Sequence, residues 1–560
     1  MNVLKSFFHY TYIYTSMMKI INLFLSCLLT TSIFSQVNIT KSDVSVVEKF
    51  IDVTFTDAER DSMLNEVMDN MTAIKAVHSQ HLDNWVTPAL YFDPMPAGMV
   101  LPKIQKPIKW TTTKAEMPKN KADLAFYTVS QLSSLIKNKK ISSVELTKFF
   151  IDRLKKYSDT LHCVISLNEE TALQQAKRAD DELAKGQYRG LLHGIPYGVK
   201  DLIAVKGTKT TWGAAPFKNQ TIDQTATVVE KLEKAGAVMV VKLSLGALAM
   251  GDVWYGGKTR NPWDLLRGSS GSSAGSASAV VAGLVPFAIG SETLGSIVSP
   301  STECGATGLR PTFGRVSRAG AMTLCWSLDK LGPLTRYSED AAIVLEAIRG
   351  EDGKDRTVRD MPFNYGKIDI SKLRIGYPTN VFDSLPKSRN EWRTLEMLEK
   401  LGAKLIPMEF KTSIPPKIID IILMGECAAA FDELTRTNLD DELTMQTKGS
   451  WPNQFRAARL LPAVDYVNAN RLRTKMIEEV NSLMKNFDVI VTSNFGVNQL
   501  QITNLTGHPV VVMPNGFVEG RPSSITFIGN LFDEATILAL AKAYQDATEF
   551  DEKHPDMFKD

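Results

Sequence analysis

Along most of this chain, short runs that are apolar throughout alternate with longer stretches in which apolar residues recur every three or four positions. TATVVEKLEKAG (Thr225–Gly236) has the helical period and stops at a glycine, and the run that follows it, AVMVVKL (Ala237–Leu243), reads as a buried strand. KLRIGYP, FDVIVTS (Phe487–Ser493) and HPVVVMP (His508–Pro514) repeat the strand pattern. Ser142 and Glu145 form a capping box ahead of the helical VELTKFFIDRLKKY, and ATILALAKAYQDATEF closes the chain as a helix. Strands apolar on both faces, alternating with helices, predict an α/β sheet covered on both sides. The polar GEDGKDRTVRDMPFNYGK (Gly350–Lys367) reads as a long surface loop.

The N-terminal part differs. Val46–Val77 repeats apolar residues at three and four and predicts one or two amphipathic helices; a proline-rich and then polar stretch leads to Asp123. The pattern therefore divides the chain into a leader (1–35), a helical extension with linker (36–123) and a main domain (124–560). The leader, MKIINLFLSCLLTTSIFSQ from Met18, has one lysine, a short apolar run and then small polar residues. That is the shape of a secretory signal peptide and is too short for a stable membrane span. Export to the periplasm or the medium is the expectation, with cleavage near Ser32 or Ser35.

Composition narrows the classes. With 64 basic and 62 acidic residues the net charge is +2, and no long basic run marks a nucleic-acid partner. The seven histidines and five cysteines form no metal motif, so neither a metal nor a cofactor is expected. Past the leader, Cys163, Cys304, Cys325 and Cys427 are scattered, and each reads as a small buried hydrophobe.

One segment resists the bland reading. Arg267–Pro300, RGSSGSSAGSASAVVAGLVPFAIGSETLGSIVSP, holds nine serines and six glycines in 34 residues. A flexible linker would not enclose AVVAGLVPFAIG, which reads as a helix end and a buried strand. Gly271–Gly275 satisfies G-x-S-x-G and would make Ser273 the nucleophile of an α/β-hydrolase-type esterase. The charged, proline-containing KTRNPWDLLRGSS before it is a poor strand, however, and His508 and His554 are poor partners. A lysine offers another base. Lys200 ends the apolar HGIPYGVK, where burial would lower its pKa toward that of a working base.

GIPYGVKD, GSSAGSASAVVAGLVPFAIGSETLGSIVSPSTECGATGLRPTFGRVSR and SLDKLGPLTR together resemble the amidase signature family, over about Leu124–Phe550. The resemblance implies a single large α/β/α domain with a central mixed sheet, and hydrolysis of a carboxamide to a carboxylate and ammonia or an amine. It implies a Ser-cisSer-Lys triad of Lys200, Ser272 and Ser296, with Ser272 as the cis residue. It also implies an oxyanion site from the backbone N–H groups of Thr293, Leu294, Gly295 and Ser296, with Ser273 supporting the relay. Arg310, Arg315 and Asp329, in family-like blocks, would hold loops together. Leu294 and Val298 stand where many members carry glycine and arginine. The loss of the arginine and the expected export argue against the A-type component of a glutamyl-tRNA amidotransferase, and for an apolar or peptide-derived amide. Three alternatives stay open: such an amidotransferase component, the Ser273 esterase, and a binding homologue that has lost activity. The oligomeric state, homodimer included, is left open.

Overall fold

The computed structural model describes residues 39–51 and 53–560, so the expected leader lies outside the described residues. Contacts divide the chain into two compact units, Met1–Leu82 and Asp83–Asp560. The first contains helices Lys41–Ile51 and Asp57–His78, the second opened by a Thr56–Glu59 capping box. The boundary at Leu82 falls earlier than the 123/124 expected from composition. Residues 83–123 belong to the large unit because their polar groups are used there. Asn84 Nδ2 donates to the Thr323 carbonyl (2.9 Å), Gln105 Nε2 to that of Phe363 (3.0 Å), and Thr111 N–H to Glu339 (3.0 Å).

The large unit is built on one eleven-stranded mixed sheet. In chain order its strands are β1 (Val164–Leu167), β2 (Pro196–Lys200), β3 (Val238–Leu243), β4 (Phe287–Glu292), β5 (Thr307–Arg310) and β6 (Lys330–Thr335). They continue as β7 (Arg374–Pro378), β8 (Lys404–Met408), β9 (Val489–Ser493), β10 (Val510–Val518) and β11 (Arg521–Gly529). The spatial order is β1-β3-β2-β4-β6-β5-β10-β11-β9-β7-β8. Pairs β2/β3, β2/β4, β7/β8 and β7/β9 are parallel and the others antiparallel. Every residue of β2, β3, β4, β5 and β6 is buried, as strands covered on both faces require.

Local signals read from the sequence reappear at their positions. Ser142 caps helix Ser143–Leu161, accepting from Glu145 N–H while Glu145 accepts from Ser142 N–H. Helix Thr227–Lys234 stops ahead of Gly236 (φ +86°), and β3 follows. The Ser/Gly segment becomes helix Ala274–Val281, then β4, then helix Val298–Cys304. Because β2 and β4 are parallel neighbours, Lys200 at the end of β2 and Glu292 at the end of β4 reach the same edge of the sheet.

Beyond that edge a loop from Arg318 to Leu324 is pinned by its backbone. Gly320 accepts from Ala204 N–H (2.9 Å), and Ala319 from Thr227 N–H (3.0 Å). Gly320 has φ +83°, and a Cβ there would lie 2.5 Å from Ala226 Cα; Gly353 has φ +73° but open space around it. A left-handed non-glycine residue costs about 1–2 kcal/mol before any clash. Gly353→Ala should therefore lower stability by about that much. Gly320→Ala should cost clearly more, a ranking that paired urea unfolding midpoints will check.

Candidate active site

Lys200 is fully buried. Its Nζ lies 2.8 Å from Ser272 Oγ, 2.9 Å from Ser291 Oγ, 3.2 Å from Ser273 Oγ and 3.4 Å from the Ser291 carbonyl. Among the described residues no carboxylate touches it. Asp201, its chain neighbour, is used elsewhere: it accepts from Thr211 N–H (2.7 Å) and Oγ1 (2.6 Å) and pairs with buried Lys242 (3.0 Å). Burial penalises the ammonium form and pulls the Lys200 pKa from 10.5 to about 7, with Asp329 and Glu292 opposing more weakly from a distance.

The partners of Nζ divide its valences. Ser273 Oγ–H donates to the Ser291 carbonyl (3.0 Å), and the same oxygen accepts from Ser291 N–H (3.1 Å). Ser273 therefore meets Lys200 as an acceptor, and so does the Ser291 carbonyl. A neutral lysine donating its two protons toward Ser273 and Ser291 keeps its lone pair for the hydroxyl of Ser272.

The backbone brings the serines there. The Gly271–Ser272 peptide bond is cis, as the resemblance implied. Gly271 packs so tightly that a Cβ would lie 1.8 Å from the Gly251 carbonyl oxygen. Ser273 N–H donates to the Ser296 carbonyl (3.1 Å), which stitches the first serine loop to the second. Among the described residues no hydrogen bond joins Ser296 Oγ to Ser272; the backbone holds the two loops together.

Thr293, Leu294, Gly295 and Ser296 form the turn between β4 and helix Val298–Cys304. Gly295 sits at φ +85°, and its carbonyl accepts from Ser299 N–H (2.7 Å). Among the described residues none of the four backbone N–H groups of this turn donates to a protein acceptor, so they are available to an oxyanion.

Two carboxylates fix this turn. Buried Glu292 accepts from Ile297 N–H (2.9 Å), Val298 N–H (3.0 Å), Arg310 Nη1 (2.7 Å) and Asn504 Nδ2 (3.0 Å). Burial pushes its pKa upward, but the Arg310 guanidinium, the nearby Lys330 and the Val298 N–H outweigh that and hold it at about 2. Asp329 accepts from Thr293 Oγ1 (2.6 Å) and from the N–H groups of Leu324 and Cys325 (2.8 and 3.0 Å). Arg310 and Asp329 thus hold loops, as expected, and Arg315 pairs with Glu534 (3.2 Å). Ser291 and Glu292 were not foreseen. The signal was there: a lone acid ending an apolar strand must find buried partners.

The geometry gives the rival esterase no support. Ser273 is buried and spends its proton on Ser291. His508 contacts Thr506 through Nδ1 (2.8 Å) and lends its carbonyl to Arg310 (2.8 Å), while His554 stacks on Phe126. Cys163, Cys304, Cys325 and Cys427 are buried thiols. Beside the edge that carries Lys200 opens a cavity of about 240 Å³ reached by Ser291 and Thr293, with Leu202, Met322, Leu324 and Trp326 among its walls.

A mixed sheet carrying a buried lysine, paired serine loops and a donor-lined turn defines a hydrolase of amide C–N bonds. The chain belongs to the Amidase family, whose model matches residues 145–502. It is similar to the A-type component of the Coxiella burnetii glutamyl-tRNA(Gln) amidotransferase, with 34% identity over 477 residues covering 76% of this chain and 99% of the relative. Among solved structures it resembles the peptide amidase from Stenotrophomonas maltophilia, with TM-score 0.68, 27% identity, and 76% and 98% of the two chains covered. It also resembles the corresponding amidotransferase component from Thermotoga maritima, with TM-score 0.62, 27% identity, and 76% and 95% covered.

Glu292→Gln should break the buried pair with Arg310 and release the turn. Removing one member of such a pair costs about 3–5 kcal/mol. Amidase activity should fall more than proportionally to the folded fraction, and unfolding together with turnover on the folded variant will test this.

Proposed function

We propose that the protein hydrolyses a small, apolar carboxamide through an acyl-enzyme, with Ser296 as nucleophile, Ser272 as proton relay and Lys200 as base. The observation that carries this reading is Lys200, buried away from any carboxylate among the described residues and 2.8 Å from Ser272 Oγ. In the first half-reaction Ser296 Oγ bonds to the carbonyl carbon as its proton passes to Ser272 and that of Ser272 to Lys200. The oxyanion is taken by backbone N–H groups of Thr293–Ser296. The C–N bond then breaks, and the leaving amine takes a proton from Ser272, which Lys200 replaces. Water repeats the sequence on the ester, releasing the carboxylate and restoring Ser296.

The cavity supports an uncharged substrate. Apolar side chains share its wall with polar ones, and the charged groups there are engaged: Arg318 with Asp355 (2.9 Å), Lys354 with Glu230 (3.1 Å) and Asp329 with Thr293 Oγ1 (2.6 Å). A second reading is that of the glutamyl-tRNA(Gln) amidotransferase relatives, favoured by similarity extending over 99% of their length. Both readings share the chemistry and differ in substrate, so turnover of glutamine against apolar carboxamides separates them. We further propose export, on the Met18–Gln36 segment alone. N-terminal sequencing of the native protein should find a start between roughly Thr31 and Val37, and an intact Met1 or Met18 would remove the claim.

The proton path makes the sharpest test. Lys200 must be neutral to act, and its pKa is lowered to about 7, so kcat/KM should rise with pH through that region and then level off. Lys200→Ala should lose at least about 100-fold, the ordinary scale of general base catalysis. Lys200→Arg should be nearly as damaging, because a guanidinium keeps its proton. A fluorophosphonate should label Ser296. Near-normal turnover by the arginine variant, or label mapped to Ser273, would overturn the mechanism.

A further inference from the structure

Trp326 lines two cavities at once. On one side is the space of about 240 Å³ shared with Ser291 and Thr293; on the other is a chamber of about 640 Å³ with Leu90, Phe92, Ala429 and Val467 in its walls. We propose that Trp326 is the end wall of the substrate site and sets the length of the acyl group it accepts. This rests on the carboxamide reading above.

The backbone around the ring is fixed from both sides. The Trp326 carbonyl accepts from Arg318, itself held by Asp355. Ser327 donates through N–H and Oγ to Glu426 (2.9 and 2.6 Å), and its carbonyl accepts from Arg473 (2.9 Å). Glu426 and Arg473 come from the separate helices Ile418–Ala430 and Ala463–Met484. The indole itself is held differently. Its Nε1 is buried with no hydrogen-bond partner among the described residues, so the ring is kept in place by packing. Removing it opens the partition without breaking a hydrogen bond. The smaller space, about 240 Å³, exceeds the ~150 Å³ that holds a benzene molecule, so it has room for an acyl group about the size of a leucine or phenylalanine side chain. A longer chain meets the ring.

The test is kcat/KM along straight-chain carboxamides from propanamide to dodecanamide. Burying each methylene should raise the wild-type value about fourfold until the cavity is full, after which it should fall. In Trp326→Ala the break should move several methylenes further, while Trp326→Phe keeps the wild-type break. Should the alanine variant fail to fold, Trp326→Leu carries the same comparison. A break at unchanged length in the alanine or leucine variant overturns the proposal. Calorimetric binding of the same amides to Ser296→Ala, with and without Trp326→Ala, reads the break without chemistry. A shifted binding break alongside no wild-type turnover supports Trp326 and refutes the carboxamide reading. Turnover with no shift in either measurement refutes Trp326 and leaves that reading standing.

Discussion

A lysine in the interior with no carboxylate against it is the constraint on which the site depends. Burying an ammonium without a counter-ion is so unfavourable that the group gives up its proton instead. The structure removes the obvious counter-ion by occupying it: Asp201 is engaged by Lys242 and Thr211 rather than by Lys200. Around Nζ stand hydroxyls and one carbonyl. These can orient an amine without charging it. A carboxylate in place of Ser291 would hold the proton on nitrogen and stop the relay.

In the mechanism proposed above, a neutral base is useful only if the Ser296 loop stands still. Glu292 leaves β4 as the last strand residue and folds back onto the N–H groups of Ile297 and Val298, so the turn between them is closed by a charge-assisted clamp. Arg310 completes the clamp from β5 and is itself fixed by the His508 carbonyl. Asp329 grips the other end of the turn through Thr293. The charges around the turn therefore sort by task. Glu292, Arg310 and Asp329, each with partners, hold backbone in place; buried Lys330 bonds the Leu328 carbonyl, and Lys200 stands among the serine hydroxyls, where the proposed mechanism has it exchange a proton.

Much of this was legible in the sequence, because local physics wrote it there. The Ser142–Glu145 capping box, the Gly236 stop and the uniform apolar runs of β3, β9 and β10 act over a few residues, and the structure places them as read. Lys200 was marked as a candidate by the apolar segment it ends, Ser272 and Ser296 only by the spacing of family-like blocks, and Lys200 and Ser272 do meet, across 72 positions. Long-range pairing was not legible. Asn504 reaches Glu292 over 212 positions, and no local pattern announces such a bond. The role of residues 83–123 was hidden for a related reason. Proline-rich, polar sequence looks like a linker whether it is solvated or laid along a domain with its polar groups satisfied, as Asn84 and Gln105 are here.

The departures around the nucleophile take their meaning from the same geometry. Position 298 is buried, and its N–H is committed to Glu292, so valine there contributes packing and the turn keeps its shape without a charged side chain. Leu294 stands half-buried beside the backbone donors; its amide remains available while its side chain adds apolar surface. Both changes move the site in one direction. The turn is built from backbone and hydroxyls, and at these two positions it carries hydrocarbon and no charge. Leu202, Met322, Leu324 and Trp326 stand in the wall of the cavity that Ser291 and Thr293 reach, so in the reading proposed above these side chains, rather than the serine loops, would set which acyl group fits.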